Sequence, residues 1–137
     1  MPQPEETTEA RNRILAAARE EVGHGGWAAA TSGRVAQRAG VSKALIHYHF
    51  RDKAALLVAL ATQCQQSIHA RGDESEHGES TDNPVDGFND WLQRELAAGD
   101  VGLGIGLLAS RNAAVRRAAH HVLGAFRDEL ERHTSRV

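Results

Sequence analysis

The sequence predicts an all-α protein in which a three-helix N-terminal unit is joined by a long helix to a smaller helical C-terminal domain. Three observations indicate this fold class. Of the 137 residues, 41% are hydrophobic, which is enough for a globular core, whereas only 4% are aromatic. Alanine and leucine, which favour helices, are abundant, and only 3 prolines interrupt the chain. Apolar residues also recur three and four positions apart, as they do on one face of a helix.

The first helix is predicted to begin near Thr7 or Thr8, because either hydroxyl can cap a helix, and to run to about Val22. Residues 1–8 are polar and acidic, so we expect them to be disordered. The glycine-rich segment at 23–26 ends the helix. Its inner face is expected to carry Ile14, Ala17, Ala18 and Val22.

Two short helices around a tight turn are predicted within residues 31–53. The first, Ser32–Ala39, ends at Gly40, a residue that takes positive φ without strain. The second, Ser42–His49, can be capped by the hydroxyl of its first residue. On this second helix Ile46 and Phe50 face inward, and the outer face carries Lys43, Ala44, His47 and Tyr48.

The surroundings of the second short helix are basic. From Ala30 to Ala55 there are five basic side chains and one acidic side chain, in a chain of net charge −2. A short exposed helix with a basic and aromatic outer face suits insertion into the major groove of DNA. The alternative is a helical hairpin whose basic face is simply solvated, since helix–turn–helix geometry is common outside DNA-binding proteins.

The order A-G-V-S-K-x-x-I-x-Y-H-F-x-x-K-x-x-L-L, with V-A four residues before its glycine, resembles the DNA-binding domain of the TetR family of bacterial transcriptional regulators. The resemblance extends upstream through Ile14 and the Gly26–Trp27 turn and covers about residues 10 to 60. It implies a cytoplasmic, ligand-responsive repressor that binds a palindromic operator in double-stranded DNA as a homodimer. The matching residues are Val35, Ala36, Ala39, Gly40, Val41, Ser42, Lys43, Ile46, His49, Phe50, Lys53, Leu56 and Leu57.

The resemblance also implies which residues touch DNA. Base edges are expected near the start of the second short helix, where Lys43 would reach guanine and Leu45 a thymine methyl group. Burial of Leu45 inside the domain is the alternative. His47 departs from the family, which most often has tyrosine there, so an imidazole replaces a phenol. The full set of expected DNA contacts is Thr31, Ser42, Lys43, Ala44, Leu45, His47, Tyr48, His49 and Lys53.

The second half of the chain is predicted to hold three more helices after a long connecting one. We divide the chain into residues 1–52, the DNA-binding domain, and 53–137, a regulatory and dimerisation domain. The connecting helix is expected to run from Lys53 to about Ala70, followed by a flexible loop at about 71–84 that is polar and lacks periodicity. Inward side chains are then predicted at Val85, Phe88, Trp91, Leu92 and Leu96, throughout the apolar segment 101–110, and at Val115, Ala119, Val122, Phe126 and Leu130.

This second half is shorter than the C-terminal domain usual in the family. It is a fragment, a shortened natural variant, or a chain that dimerises through another surface, and the sequence leaves these three open. We expect self-association. A small apolar or cationic effector is expected to bind among Trp91, Leu103, Leu107, Val122 and Phe126.

Other classes of function have little support in the sequence. His47 and His49 lie two positions apart, so on a helix they face different sides and do not suit a metal ion. No pairing of nucleophile and base and no cofactor loop is present, which argues against an enzyme, and we expect neither metal nor cofactor. No stretch is apolar over the length of a membrane span. The remaining alternative is a helical protein-interaction module that has lost autonomous DNA binding.

Overall fold

A computed structural model describes residues 4–77 and 83–135, and this part of the chain folds into helices joined by short turns. A 3₁₀ turn at Trp27–Ala29 separates the first two helices. No helix in the described part combines the length and the apolar character that crossing a membrane requires. The α-helices are α1 (Pro4–Gly25), α2 (Ser32–Ala39), α3 (Lys43–His49), α4 (Lys53–His77), α5 (Pro84–Ala98), α6 (Asp100–Leu107) and α7 (Ala113–Thr134).

Helix α1 is longer at both ends than predicted. It begins at Pro4, so residues 4–8 are helical rather than disordered, while residues 1–3 lie outside the described part. It stops where Gly26 turns to a φ of 74°, with its N–H donating to the carbonyl of Val22 at 2.8 Å. The buried apolar residues are the predicted ones with one addition: Ile14, Leu15, Ala17, Ala18 and Val22.

The turn between α2 and α3 forms as the sequence predicts. Gly40 adopts the left-handed conformation, with φ of 69°, and its N–H donates to carbonyls in the last turn of α2. The N–H of Val41 then donates to the carbonyl of Ala36 at 3.0 Å, which turns the chain back toward the core. At the start of the next helix the Ser42 hydroxyl accepts from the Leu45 N–H at 3.1 Å. These local bonds set the angle at which α3 leaves the domain.

Helix α4 contacts both the N-terminal and the C-terminal helices, since it packs against α1, α5, α6 and α7. Its apolar stripe is buried as predicted. Cys64 belongs to this stripe, and burial raises the pKa of its thiol to about 12, so it is a core residue at neutral pH. The buried residues of the stripe are Leu56, Leu57, Leu60, Ala61, Cys64 and Ile68.

The prediction of a flexible loop at 71–84 is wrong for residues 71–77, which continue α4, and residues 78–82 lie outside the described part. The reason is tertiary. Arg71 pairs with the buried carboxylates of Glu95 and Asp100, so this polar turn of helix is stabilised by side chains from later in the sequence. A periodicity argument cannot detect such a contribution, because the segment has no apolar stripe of its own.

Helices α5 and α6 both pack against α4, and α6 also packs against α7. Helix α5 begins after Asn83, whose side chain accepts from the Val85 N–H at 3.0 Å, and it buries Trp91. The predictions that Val85 and Leu96 face inward are wrong, because both are exposed. The segment 101–110 is likewise not buried on every side, since Ile105 is 57% exposed.

One hydrophobic cluster runs through the described structure, from α1 to α7. It includes residues on both sides of the predicted boundary between 1–52 and 53–137, and α4 carries it across. The division into those two domains therefore stays a prediction. In physical terms the helices of residues 1–52 rest on the same core as the C-terminal helices.

Substituting Gly104 by alanine should destabilise the fold. A methyl group there would lie 2.8 Å from Cγ1 of Val122, closer than packed carbon atoms allow. Overpacking of this kind costs about 1–3 kcal/mol. Gly102→Ala in the same helix is the matched control, since the added methyl meets nothing within 4 Å. It should be neutral or gain up to about 1 kcal/mol in helix propensity. Urea unfolding of the two variants measures both effects, and equal stability would contradict the packing of α6 on α7.

Candidate nucleic-acid interface

Helix α3 is held on its inner side by two apolar anchors. Ile46 is 2% exposed and Phe50 is 4% exposed, and they lie one helical turn apart. The N–H of Phe50 donates to the carbonyl of Ile46 at 2.8 Å, which closes the last turn of the helix. Across the turn, Val35 of α2 is fully buried in the same cluster. The inner face of α3 is thus buried in the core, and the outer face is left to contact solvent or a ligand.

The outer face of α3 points to solvent, as predicted. Tyr48 is 67% exposed, and Lys43, Ala44 and His47 are exposed with it. Lys43 and His47 lie one turn apart, and so do Ala44 and Tyr48, so these side chains form one continuous surface. Ser42 is exposed at the start of this surface. Lys43 and Tyr48 are therefore not core residues.

Leu45 and His49, one helical turn apart, lie on the same edge of that surface and are half-buried. Leu45 is therefore neither a core residue nor a fully exposed one. The ring of His49 lies 5.1 Å from that of Tyr48 in an edge-to-face arrangement, and its Nε2 is buried with no hydrogen-bond partner among the described residues. Burial, together with the nearby Arg11, lowers the pKa of His49. The imidazole is thus held neutral near pH 7.

Lys53, predicted to contact the DNA backbone, is already bonded within the protein. Its ammonium donates to the carbonyl of Ala28 at 3.0 Å and lies 5.3 Å from the centre of the Trp27 ring. Burial lowers its pKa. Lys53 thereby fastens the start of α4 to the 3₁₀ turn that leads into α2. A contact from Lys53 to DNA stays a prediction.

Thr31 lies at the start of α2, on the exposed surface. Its hydroxyl accepts from the Arg34 N–H at 3.3 Å, which is the capping role expected of it. The first N–H groups of α2 and the positive end of its dipole are directed toward solvent beside this residue. The same end could receive a phosphate, which stays a prediction.

The basic surface around α3 is partly neutralised by acidic side chains of α1, a feature that sequence reasoning missed. Arg38 donates to Glu21 and to Glu20, each at 2.8 Å. These bonds raise the pKa of Arg38, and the hydrogen bond from Arg38 lowers the pKa of Glu21. Arg34 and Arg51 remain largely exposed. Spacing along the chain cannot reveal such pairs, because Glu21 and Arg38 lie on different helices.

Four of the five residues predicted to bind an effector, Leu103, Leu107, Val122 and Phe126, belong to the hydrophobic cluster, and the fifth, Trp91, stacks on Phe126. Trp91, Leu103, Leu107 and Val122 are buried, and Phe126 is half-buried. The Trp91 ring stacks on His133 at 4.2 Å and on Phe126 at 6.1 Å. An open groove of about 530 Å³ lies elsewhere, between α4 and α7, and none of the five lines it. It is bordered by Gln65, His69, His120, His121, Leu123, Gly124, Ala125, Arg127 and Asp128.

Within the described residues, no three histidine, cysteine, aspartate or glutamate side chains are placed to share a metal ion. The imidazole of His47 is exposed and that of His49 is half-buried. The chemistry that α3 offers is therefore that of hydrogen-bond donors, an aromatic ring and a positive charge on a protruding helix. Such a surface recognises the edges of bases and the phosphates beside them.

A short helix that two buried anchors hold against the core, and that presents lysine, histidine and tyrosine outward, defines a helix-turn-helix DNA-binding protein. Comparison with known families agrees. Residues 14–60, which is under half of the chain, match the family described as bacterial regulatory proteins, tetR family. This segment is similar to the N-terminal domain of that family, which supports a DNA-binding role in transcription regulation. A comparison with curated proteins found no match.

His49 should make the fold less stable in mild acid. Its pKa in the folded chain lies below the ordinary value of 6.5, so below that pH the unfolded chain binds more protons and stability falls. Thermal unfolding at about pH 7.5 and about pH 5.5 should therefore differ more in the wild type than in His49→Gln. His47→Gln, at an exposed position of the same helix, is the control and should keep the wild-type difference. A His49→Gln variant with the wild-type pH dependence would refute this role.

Proposed function

We propose that the protein is a ligand-responsive repressor that binds a palindromic operator as a homodimer in the bacterial cytoplasm. The observation that carries the DNA-binding part is the outward face of α3, with Lys43, His47 and Tyr48 exposed in a domain that matches the TetR family. One such helix covers only a few base pairs. A second copy related by two-fold symmetry would place a second helix about 34–36 Å away, one turn along the duplex or slightly more.

Within one half-site, Lys43 and Leu45 are proposed to read bases from the first turn of α3. Lys43 reaches the O6 and N7 acceptors of guanine, and the half-buried Leu45 packs on a thymine methyl group. Ser42 and Ala44 allow close approach of the helix to the groove. Tyr48 and His47 extend toward the flanking backbone, on the same exposed surface.

The sugar–phosphate backbone is proposed to be gripped at both edges of α3. Thr31 and the N-terminus of α2 would receive one phosphate. His49 and Lys53 lie at the far edge, where Lys53 must exchange its bond to Ala28 for one to DNA or act through the turn that it fastens. Because phosphate contacts displace counterions, affinity should fall steeply as salt rises.

Self-association is supported by apolar side chains that the described structure leaves in solvent. Val85 and Leu96 of α5 and Ile105 of α6 are 47%, 62% and 57% exposed. Contiguous exposed apolar patches often mark interfaces. Sedimentation at micromolar concentration tests the proposal directly, and a monomer alone and on operator DNA would reject the homodimer.

An effector is proposed to bind beside Trp91, at the edge where Phe126 and Phe88 are half-buried. The aromatic rings there lie 5.9 Å and 6.1 Å from the Trp91 ring. Leu103, Leu107 and Val122 form the apolar floor. Because these side chains fill the space, a small apolar or cationic molecule must displace Phe126 to enter. Quenching of tryptophan fluorescence would report its binding.

The DNA-binding proposal is tested by selecting duplexes from a random pool with the purified chain. The expected result is an enriched two-fold-symmetric sequence that the chain shifts in a gel. A protein-interaction module that has lost DNA binding would enrich no sequence. Failure to enrich any sequence at low salt, where phosphate attraction is strongest, would reject the proposed function.

Replacing Lys43 by alanine should weaken operator binding and relax base preference at one position of each half-site. The loss of a good contact to guanine corresponds to about 1–3 kcal/mol per half-site. Fluorescence anisotropy against the selected operator and its single-base variants measures both effects. Arg127→Ala, an exposed change on α7, is the matched control and should bind as the wild type does. Unchanged base preference in Lys43→Ala would show that Lys43 contacts only phosphate.

Leu45→Ala should change preference at a different base pair. Without the leucine side chain, the advantage of thymine over uracil at one position should disappear, because the methyl group loses its apolar partner. The same anisotropy assay, run with deoxyuridine in place of thymidine, isolates that methyl group. If the wild type already ignores the substitution at every position, the thymine contact does not exist.

A further inference from the structure

A buried group of charges joins the DNA-binding helices to the C-terminal helices at one corner of the fold. Asp100, the first residue of α6, is almost fully buried and accepts hydrogen bonds from Arg19 of α1 and Arg71 of α4. Arg71 also holds the carboxylate of Glu95 through two bonds, at 2.8 and 2.9 Å. Glu95 is 0% exposed, so this part of the group lies inside the protein.

Arg19 is the member that comes from the DNA-binding side. One guanidinium nitrogen donates to Asp100 at 2.5 Å and the other donates to the carbonyl of Ala98 at 2.6 Å. Ala98 is the last residue of α5, where helix carbonyls need donors from outside the helix. The two bonds therefore clamp the corner between α5 and α6, where Gly99 turns with φ of 79°.

The clamp is charged on both sides and partly removed from water. Burial opposes ionisation of Asp100, but hydrogen bonds from Arg19 and Arg71 outweigh it and lower the pKa of the carboxyl. A planar guanidinium with two bonds in fixed directions also sets orientation, which a lysine cannot do. Arg19 and Asp100 are 81 residues apart in the chain, so the contact is wholly tertiary.

We propose that Arg19 is a positioning residue for operator recognition, which sets the spacing of the two DNA-reading helices without touching DNA. Helix α1 packs on both α2 and α3, so an α1 that is clamped to the α5–α6 corner fixes the direction of the whole head. In a dimer assembled through the C-terminal helices, that direction decides how far apart the two α3 helices lie. The inference rests on the proposed function, since it requires two heads on one operator.

Arg19→Gln cuts the clamp while leaving the rest of the charge group in place. Asp100 keeps Arg71 as its partner, and Arg71 keeps Glu95. The variant therefore isolates the link between α1 and the corner. Arg127→Gln is the matched control, because the ion pair of Arg127, with Asp128, stays within α7.

The experiment compares affinities for a single half-site and for operators whose half-sites are moved apart or together by one or two base pairs. The wild type should strongly prefer the selected spacing. Arg19→Gln should bind the half-site as the wild type does. Its ratio of affinities for the selected spacing over the altered spacings should fall about tenfold, which is within the usual range of coupling between sites. Arg127→Gln should retain it. A wild-type spacing profile in Arg19→Gln, or an equal loss on half-site and operator, would overturn the positioning role.

A second measurement separates failure of this inference from failure of the proposed function. Amide hydrogen exchange of the free protein should speed up together in α1 and at the α5–α6 corner of Arg19→Gln, and not in Arg127→Gln. Arg19→Lys serves if the glutamine variant does not fold. If the wild type does not bind DNA, the proposed function is rejected, but the clamp is not. If amide exchange at the α5–α6 corner is the same in Arg19→Gln as in the wild type, the clamp is rejected, whatever the protein binds.

Discussion

The structure depends on burying one apolar face of α4, from Leu56 to Ile68. Leu56, Leu57 and Leu60 are buried in its first half, and Cys64 and Ile68 continue the stripe, while the helix packs against both α1 and α7. Burial of apolar surface is the main force that stabilises a small helical domain. Because the same face serves both halves, the head that carries α3 cannot be treated as hinged freely on the rest. Any tilt of α4 changes the packing of α1 and α7 together.

Ion pairs between helices fix relative orientations that apolar packing alone does not fix. Apolar contacts tolerate some sliding, whereas the guanidinium of Arg19 bonds to two oxygen atoms in fixed positions. Arg38 does the same nearer the DNA surface, where Glu20 and Glu21 bind it. Ion pairs thus connect α1 to α6 through Arg19 and to α2 through Arg38. The pairing of Arg38 also reduces the unpaired positive charge near α3. Net charge alone would not show this balance, since it counts these paired arginines as free.

Most of the DNA-reading unit was predictable because its signals are local. Thr31, Gly40 and Ser42 act through bonds to backbone groups one to four residues away, and all three lie where the sequence placed them. The inward Ile46 and Phe50 follow from helical periodicity alone. Prediction failed for Val85 and Leu96, which are apolar but exposed, because periodicity shows that a helix has an apolar face without showing what covers it. The contacts of the Lys53 ammonium were also missed, since its partners Trp27 and Ala28 lie in the 3₁₀ turn before α2, far from it in the chain.

The sequence by itself determined the all-α class, the turn between α2 and α3, and the set of side chains on the outer face of α3. Those features depend on capping, on glycine conformation and on a period of 3.6 residues, all of which act over one or two helical turns. Tertiary structure alone decided that α4 continues to His77, that Arg38 is held by acidic side chains, and that Arg19 reaches Asp100. Each of these depends on groups far apart in the chain, whose meeting is set by how the helices pack and not by any local pattern.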